Sequence, residues 1–308
     1  MILSVTMNPS QDKVYIVNDF SIHNVHRTDN YTVTAGGKGL NVARVVKALD
    51  EDIIATGLLG GLSGTFIEKR LKRHKIDNEF VKISGETRTC INITDHKNNT
   101  TTEILEAGPE IKRFEIRSFV NKYKKLVKKA DIITLSGSLP RGLNNNFYLE
   151  LIDHAKKLDK KVILDTSGQY LIEGIKGEPF MLKPNEDETK ELFNKKYKKP
   201  SDYINALGKL KDMDIKLPVI TLGKNGAVAM IGNNFYQFKL PKVEVVNAVG
   251  SGDAFVAGCA VGLQKNNLFD TIKLGLACAT ANTLFIKTGK VTKQKVNQLR
   301  DKIEVVQL

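Results

Sequence analysis

Two glycines, a serine and one aspartate stand at the head of an apolar run in Val249–Gly258, VGSGDAFVAG. Gly250 and Gly252 let backbone N–H groups approach an anion with no side chain in the way. Ala254, Phe255, Val256, Ala257, Cys259 and Val261 then read as a buried helix, whose positive end would point at the same spot. Asp253, in the first turn, would stand there as a proton acceptor. A carboxylate beside an anion hole is what phosphoryl transfer to an alcohol requires. The alternative is an aspartate that merely caps a core helix.

Other polar turns share this pattern. Ala35–Asn41 (AGGKGLN) has glycines at Gly36 and Gly37 and one cation, Lys38. No Ser or Thr follows its Gly-Lys at the spacing of a P-loop, and it lacks the dinucleotide G-x-G-x-x-G. Its backbone could carry a small ligand, and the Asn41 amide could donate to and accept from sugar hydroxyls. The alternative is a structural turn with a solvent-facing lysine. In KPNEDE, Lys183 ends a strand, and Asn185 and Glu188 would share one helix face. They could hold a hydrated magnesium ion, or simply form an N-cap with first-turn acids. TLGKNG, with Thr221, Gly223 and Gly226, reads as a nucleotide loop or an ordinary strand-to-strand turn. SGSLP could bring Ser138 to the same cleft, or be a plain loop. Arg27 and Arg88 could clamp a substrate phosphate bidentately, or be surface charges. The five histidines pair with nothing at a telling spacing.

The elements that must position these turns follow from periodicity. Ile2–Met7 is a strand ending at Asn8-Pro9. A helix follows AGGKGLN, with Val42, Val45, Val46 and Leu49 at helical spacing. Residues 53–59 form a strand, 65–74 a helix and 79–83 a strand. From residue 111 helix and strand alternate: helices at 114–129, 145–158, 186–193 and 201–211, strands at 132–136, 162–165, 180–183 and 219–222. A hairpin at 227–239 and two helices, 253–264 and 269–288, complete the pattern. This predicts an α/β fold, a doubly wound and mostly parallel sheet flanked by helices, with turns gathered at one sheet edge. Segments 12–34 and 86–106 break the alternation, and the second contains a hairpin. They would form a small projecting β-sheet. With no linker in view, residues 1–308 read as one domain.

Bulk properties narrow the function. The 308 residues are 41% hydrophobic, enough for a substantial core, and carry a net charge of +13. That charge raises nucleic-acid binding as a second class of function. The lysines, however, cluster in KYKKLVKK (Lys122–Lys129) and KKYKK (Lys195–Lys199), which read as solvated helix faces and a loop. There is no helix-turn-helix, zinc-finger or RNP pattern, and no interleaved aromatics for stacking on bases. The reading is therefore no nucleic-acid partner. No apolar run reaches the ~18–20 residues of a membrane span. MILSVTMNPS reads as a first strand and not as a signal peptide. Cys90, Cys259 and Cys278 lack metal-ligand spacing and read as reduced thiols of a cytoplasmic protein.

Four motifs together carry a likeness. AGGKGLNVAR, KPNEDE, TLGKNG and NAVGSGDAFVAG, in that order, resemble the signatures of the ribokinase-like (PfkB) carbohydrate kinases, over essentially the full length. NPSQD, GETRTCINI, TEILEAGPEI and SGSLPRGL resemble the branch acting on phosphorylated ketohexoses. The resemblance implies a ribokinase-like fold and an ATP- and Mg2+-dependent kinase. Its acceptor would be tagatose 6-phosphate, giving the 1,6-bisphosphate, with fructose 1-phosphate as the alternative. It implies that Asp253 is the base and that Gly250, Ser251 and Gly252 supply the anion hole. Asp12, Gly36, Gly37, Lys38, Asn41 and Ser138 would hold the sugar, with Lys38, Arg27 and Arg88 at its phosphate. Lys183, Asn185 and Glu188 would serve nucleotide phosphates and, through water, magnesium. Thr221, Gly223, Gly226 and Asn282 would line the nucleotide site. Many members carry alanine where this chain has Ser251; a small residue there keeps the backbone approach open. The family's extra sheet acts as a lid and often as a dimer surface, which implies a homodimer.

Overall fold

The computed structural model describes residues 1–197, 199–265 and 267–308. The KKYKK stretch thus includes one residue, Lys198, outside the described residues. The main sheet runs, edge to edge, Glu304–Gln307, Asn234–Lys239, Ala227–Ile231, Leu217–Thr221, Met181–Leu182, Lys161–Asp165, Ile132–Ser136, Ile2–Thr6, Ile53–Leu59 and Asp77–Asn78. Neighbours from Leu217–Thr221 to Asp77–Asn78 pair in parallel, and the first four strands form an antiparallel flank. Central strands such as Ile2–Thr6 and Ile132–Ser136 are buried along their whole length. Such near-continuous apolar strands need cover on both faces, which crossover helices supply. One core lies under helices Lys38–Ala48, Ser251–Leu263 and Leu268–Thr283. The other lies under Arg113–Val127 and Phe147–Lys156.

Helix Ser251–Leu263 is buried from Asp253 to its end, as an apolar surface all round demands. It packs on Leu268–Thr283 through glycines: a Cβ at Gly258 would lie 2.6 Å from the Leu274 carbonyl. The positive end of this central helix therefore opens at the carboxyl edge of the parallel strands.

The second sheet has the order Tyr31–Gly36, Ser10–Val17, Thr89–Asp95, Thr100–Leu105. Its middle pair is parallel and its outer pairs antiparallel, so segments far apart in sequence close it together. Several boundaries differ from expectation. The helix expected at 269–288 ends at Thr283, whose carbonyl accepts the N–H of Val246 and of Asn247. The strand expected at 79–83 is two short pairings, Asp77–Asn78 and Val81–Lys82, with Ile53–Leu59. Helices Gly168–Ile175 and Lys293–Arg300 and the edge strand Glu304–Gln307 have too few turns or too little apolar patterning to be seen in the sequence. Among the described residues no helix is long and apolar enough to cross a membrane. Cys90, Cys259 and Cys278 are buried free thiols.

Candidate active site

The site grows from the turn that opens the central helix. Gly250 is its N-cap, with φ of 77°, and a Cβ there would sit 2.2 Å from Thr288 Cγ2. Only glycine meets both demands. Ser251 is already engaged, its N–H donating to the Ala248 carbonyl at 3.2 Å and its hydroxyl to the same oxygen at 2.8 Å. Among the described residues, the N–H groups of Gly250, Gly252 and Asp253 have no acceptor, and all three lie at the helix's positive end. Of Gly250, Ser251 and Gly252, the first and third thus keep open N–H groups, and that of Asp253 joins them.

Asp253 is buried, and the Asn41 Nδ2 amide donates to its Oδ2 at 2.6 Å. Two turns separated by 212 residues therefore meet at one carboxylate. Burial, and next the negative charge of Asp165, push the Asp253 carboxyl up to about 7, against the pull of Lys38, Asn41 and Lys183. A carboxylate with a proton affinity near neutrality is suited to general-base work.

Beside it lies a group that local sequence does not mark. Asp165 closes the strand Lys161–Asp165, is 1% exposed, and its Oδ1 takes both Lys183 Nζ at 3.2 Å and Lys38 Nζ at 3.3 Å. Burial raises its carboxyl, but the two ammonium groups outweigh this and hold it below the usual range. Asp165 in turn is the main reason that the Lys38 ammonium is held more firmly than usual. Among the described residues Asp165 Oδ2 has no partner, and neither do Ser136 Oγ and Thr6 Oγ1 at the ends of the next two strands of the sheet. The only sequence signal was an acid closing an apolar strand at the edge where ligands collect.

On the side of the small sheet, a Cβ at Gly36 would lie 2.0 Å from the Asp12 carboxylate, so glycine lets that carboxylate lie against the backbone. Gly37, with φ of 111°, caps the helix that starts at Lys38. Ser10 Oγ donates to Asp12 at 2.5 Å, and burial raises the Asp12 carboxyl. Arg88 spends Nε on the Asn8 carbonyl at 3.1 Å and Nη1 on the Glu106 carbonyl at 3.0 Å. Ser138 accepts from Asn8 Nδ2 at 3.2 Å and so stands in the same cleft. Arg27 is exposed between two strands of the small sheet, with no hydrogen bond or ion pair to this group or to any other of the described residues.

On the opposite side, KPNEDE and TLGKNG are neighbours: the Thr221 N–H donates to the Pro184 carbonyl at 3.0 Å. Asn185 and Glu188 form a reciprocal capping box, each side chain accepting the other's N–H at 2.8 Å. The capping alternative is thus realised, yet Glu188 still acts electrostatically on Lys38. Gly223 has φ of 52° and open space around it. A Cβ at Gly226 would lie 1.9 Å from the Phe238 carbonyl, so this glycine serves the hairpin. Asn282 is 1% exposed; its Nδ2 donates to the Val249 carbonyl at 2.9 Å and its Oδ1 accepts from Gly289 N–H at 2.8 Å. With its amide so occupied, it bears on the site through the turns it ties together.

An open helix N-terminus, a buried carboxylate and two lysines at the carboxyl edge of a doubly wound sheet define a phosphotransferase of the α/β class. Residues 6–292 match the model of the pfkB family carbohydrate kinases. A tagatose-6-phosphate kinase of Staphylococcus epidermidis is 39% identical, with all of both chains covered. Phosphofructokinase-2 from Escherichia coli, in complex with substrates and products, superposes with a TM-score of 0.90 at 25% identity over 98% of each chain. A Thermotoga maritima protein described as a possible 1-phosphofructokinase gives 0.90 at 27% identity, over 100% of this chain and 99% of its own. The chain belongs to the pfkB family of carbohydrate kinases, for which ATP is the implied phosphoryl donor.

Proposed function

We propose that this kinase transfers the γ-phosphoryl group of ATP to the C1 hydroxyl of tagatose 6-phosphate, giving tagatose 1,6-bisphosphate and ADP. The 39% identity to a tagatose-6-phosphate kinase over the full length of both chains supports this acceptor. The observation that carries the chemistry is the 2.6 Å bond between Asn41 and Asp253. It joins a glycine-rich sugar turn to a helix N-terminus over one carboxylate.

In this reading the C1 oxygen attacks the γ-phosphorus in line, the bond to the bridging oxygen of ADP breaks, and the hydroxyl proton passes to Asp253. The N–H groups of Gly250, Gly252 and Asp253, with Ser251 anchoring their turn, donate to the phosphoryl oxygens. Lys183 serves the nucleotide phosphates. Lys38 and Arg88 receive the 6-phosphate, and Arg27 joins them from the lid. Asp12, Gly36, Gly37, Asn41 and Ser138 hold the sugar. Thr221, Gly223 and Gly226 shape the nucleotide loop, and Asn282 supports it. Most of the rate comes from positioning and charge neutralisation. The partnerless Asp165 Oδ2 and the carboxylate of Glu188, with Asn185 behind it, fit a hydrated magnesium ion. When bound with ATP, such an ion neutralises phosphate charge.

The small sheet is a lid over the acceptor, within one domain spanning 1–308. Its exposed Tyr31, Ile104 and Leu105 support a homodimer through that sheet. Buried free thiols support a cytoplasmic location. A second reading, fructose 1-phosphate as acceptor, is supported by the fit to the Thermotoga maritima structure. A panel of tagatose 6-phosphate, fructose 1-phosphate, fructose 6-phosphate and unphosphorylated ketohexoses, assayed with ATP by ADP release, decides between them. The highest kcat/KM is expected with tagatose 6-phosphate. A preference for an unphosphorylated sugar would remove Lys38 and Arg88 from their roles.

A further inference from the structure

We infer that Arg44 is a positioning residue that fixes the orientation of the Asn41 amide, so that Asn41 can only donate to Asp253. This rests on the kinase reading above.

Arg44 lies one turn beyond Asn41 on the helix Lys38–Ala48. Its guanidinium joins three segments. Nη1 donates to the Ala35 carbonyl at 2.6 Å, just before the glycine pair. Nη2 donates to Asn41 Oδ1. Nε lies against Gly289, where a Cβ would be only 3.0 Å away. Gly289 is itself bound by Asn282, which also holds the Val249 carbonyl at the entrance to the anion-binding turn.

The consequence follows from hydrogen-bond polarity. A carboxamide has one accepting and one donating end. With Oδ1 occupied by a guanidinium that can only donate, Nδ2 must face Asp253. Without Arg44 the amide can rotate and let Oδ1 accept from protonated Asp253, an arrangement that favours the neutral acid. A donor on Asp253 favours its ionised form and opposes the effect of burial. The charged groups that bear on Asp253 from the surrounding elements are Asp165, Lys38, Lys183 and Arg44 itself. Those that bear on Arg44 are Asp12 and Asp253, and Arg44 in turn acts on His74. Arg44 thus reaches Asp253 by two routes, its own charge across space and the Asn41 amide. A purely structural clip would act on stability alone.

Arg44→Met is expected to lower kcat by roughly 10- to 100-fold, to leave KM for ATP within a few-fold, and to move the acid limb of the pH–rate profile upward. In an Asn41→Ala background the same substitution should cost almost nothing further, because the relay is already cut. If Arg44→Met does not fold, Arg44→Lys, which keeps the charge and a donor, is expected to retain most of the activity of the parent. A direct readout needs no turnover. The Asp253 carboxyl, followed by 13C NMR with aspartate labelling and assigned by its loss in Asp253→Asn, should titrate at higher pH in Arg44→Met than in the parent. The shift should exceed the one the same substitution causes in an Asn41→Ala background, where only the charge of Arg44 is lost; equal shifts in the two backgrounds would also overturn the inference. Additive losses in the double variant, or an Asp253 titration unmoved by Arg44→Met, would overturn the inference. A parent enzyme inactive on every acceptor would overturn the kinase reading, and the NMR titration would still decide the role of Arg44.

Discussion

In the proposed reaction Asp253 is the proton acceptor; it is buried, and the charges of Asp165, Lys38 and Lys183 act on it. Asp253→Asn is expected to fold and to lose roughly 10²–10⁴ in kcat. Retention of activity within a few-fold of the parent would remove Asp253 from the reaction. In the parent, kcat/KM should rise with pH along a limb centred near the value of about 7 that burial and Asp165 impose. The same shift acts on stability with a definite sign. An acid whose folded pKa lies above its unfolded one keeps its proton longer in the folded state. Between about 4 and 7 the folded state therefore binds more protons, and stability falls as pH rises. Asp253→Asn abolishes this term, so its Tm relative to that of the parent should climb from pH 4 to pH 8. A pH-independent difference would show that Asp253 titrates normally.

At the scale of elements, one carboxylate ties together two loops of the small sheet. Asp95 ends the strand Thr89–Asp95 and is buried in its own loop. It accepts the N–H of Asp19, Phe20, Lys97 and Asn98 and the Asn98 amide, ties that overcome the effect of burial and lower its carboxyl to about 2. These bonds pin the start of segment 18–30, which carries Arg27, to the hairpin turn at 96–99. Because its folded pKa is depressed, this contribution is present above about pH 4 and lost as pH falls towards 2. Asp95→Ala should speed amide exchange at those four positions and raise KM for the acceptor, with KM for ATP unchanged. Unaltered exchange would show that the loop is held by other contacts. The lid also shows what local pattern can reveal. Its hairpin at 89–105 alternates and is legible, whereas the parallel pairing of Ser10–Val17 with Thr89–Asp95 joins distant segments and leaves no local trace.

For the whole molecule, the charge of +13 is spread over solvated faces such as Arg113–Val127, away from the cleft. The homodimer proposed above is tested at the exposed apolar residues of the small sheet. With Ile104 and Leu105 exposed at 55% and 62%, Leu105→Lys is expected to convert a dimer to monomer in sedimentation velocity. A parent that sediments as a monomer, or a variant that remains dimeric, would sink the lid-sheet dimer. Ile104→Glu serves as an independent variant of the same edge.

Glycine spacing, the apolar runs of the parallel strands and the helical stripes are local properties of the chain. They were enough to define a doubly wound α/β fold and to mark AGGKGLN and GSGD as polar turns at its edge, because φ preferences and burial periodicity act over a few residues. Tertiary structure alone decided that Asn41 meets Asp253, that Asp165 stands between Lys38 and Lys183, and that Arg44 holds the amide between them. Those contacts depend on strand order and register, as where Asp165 comes level with Ser136. Register is set by the packing of the whole sheet, and no short window of residues contains it.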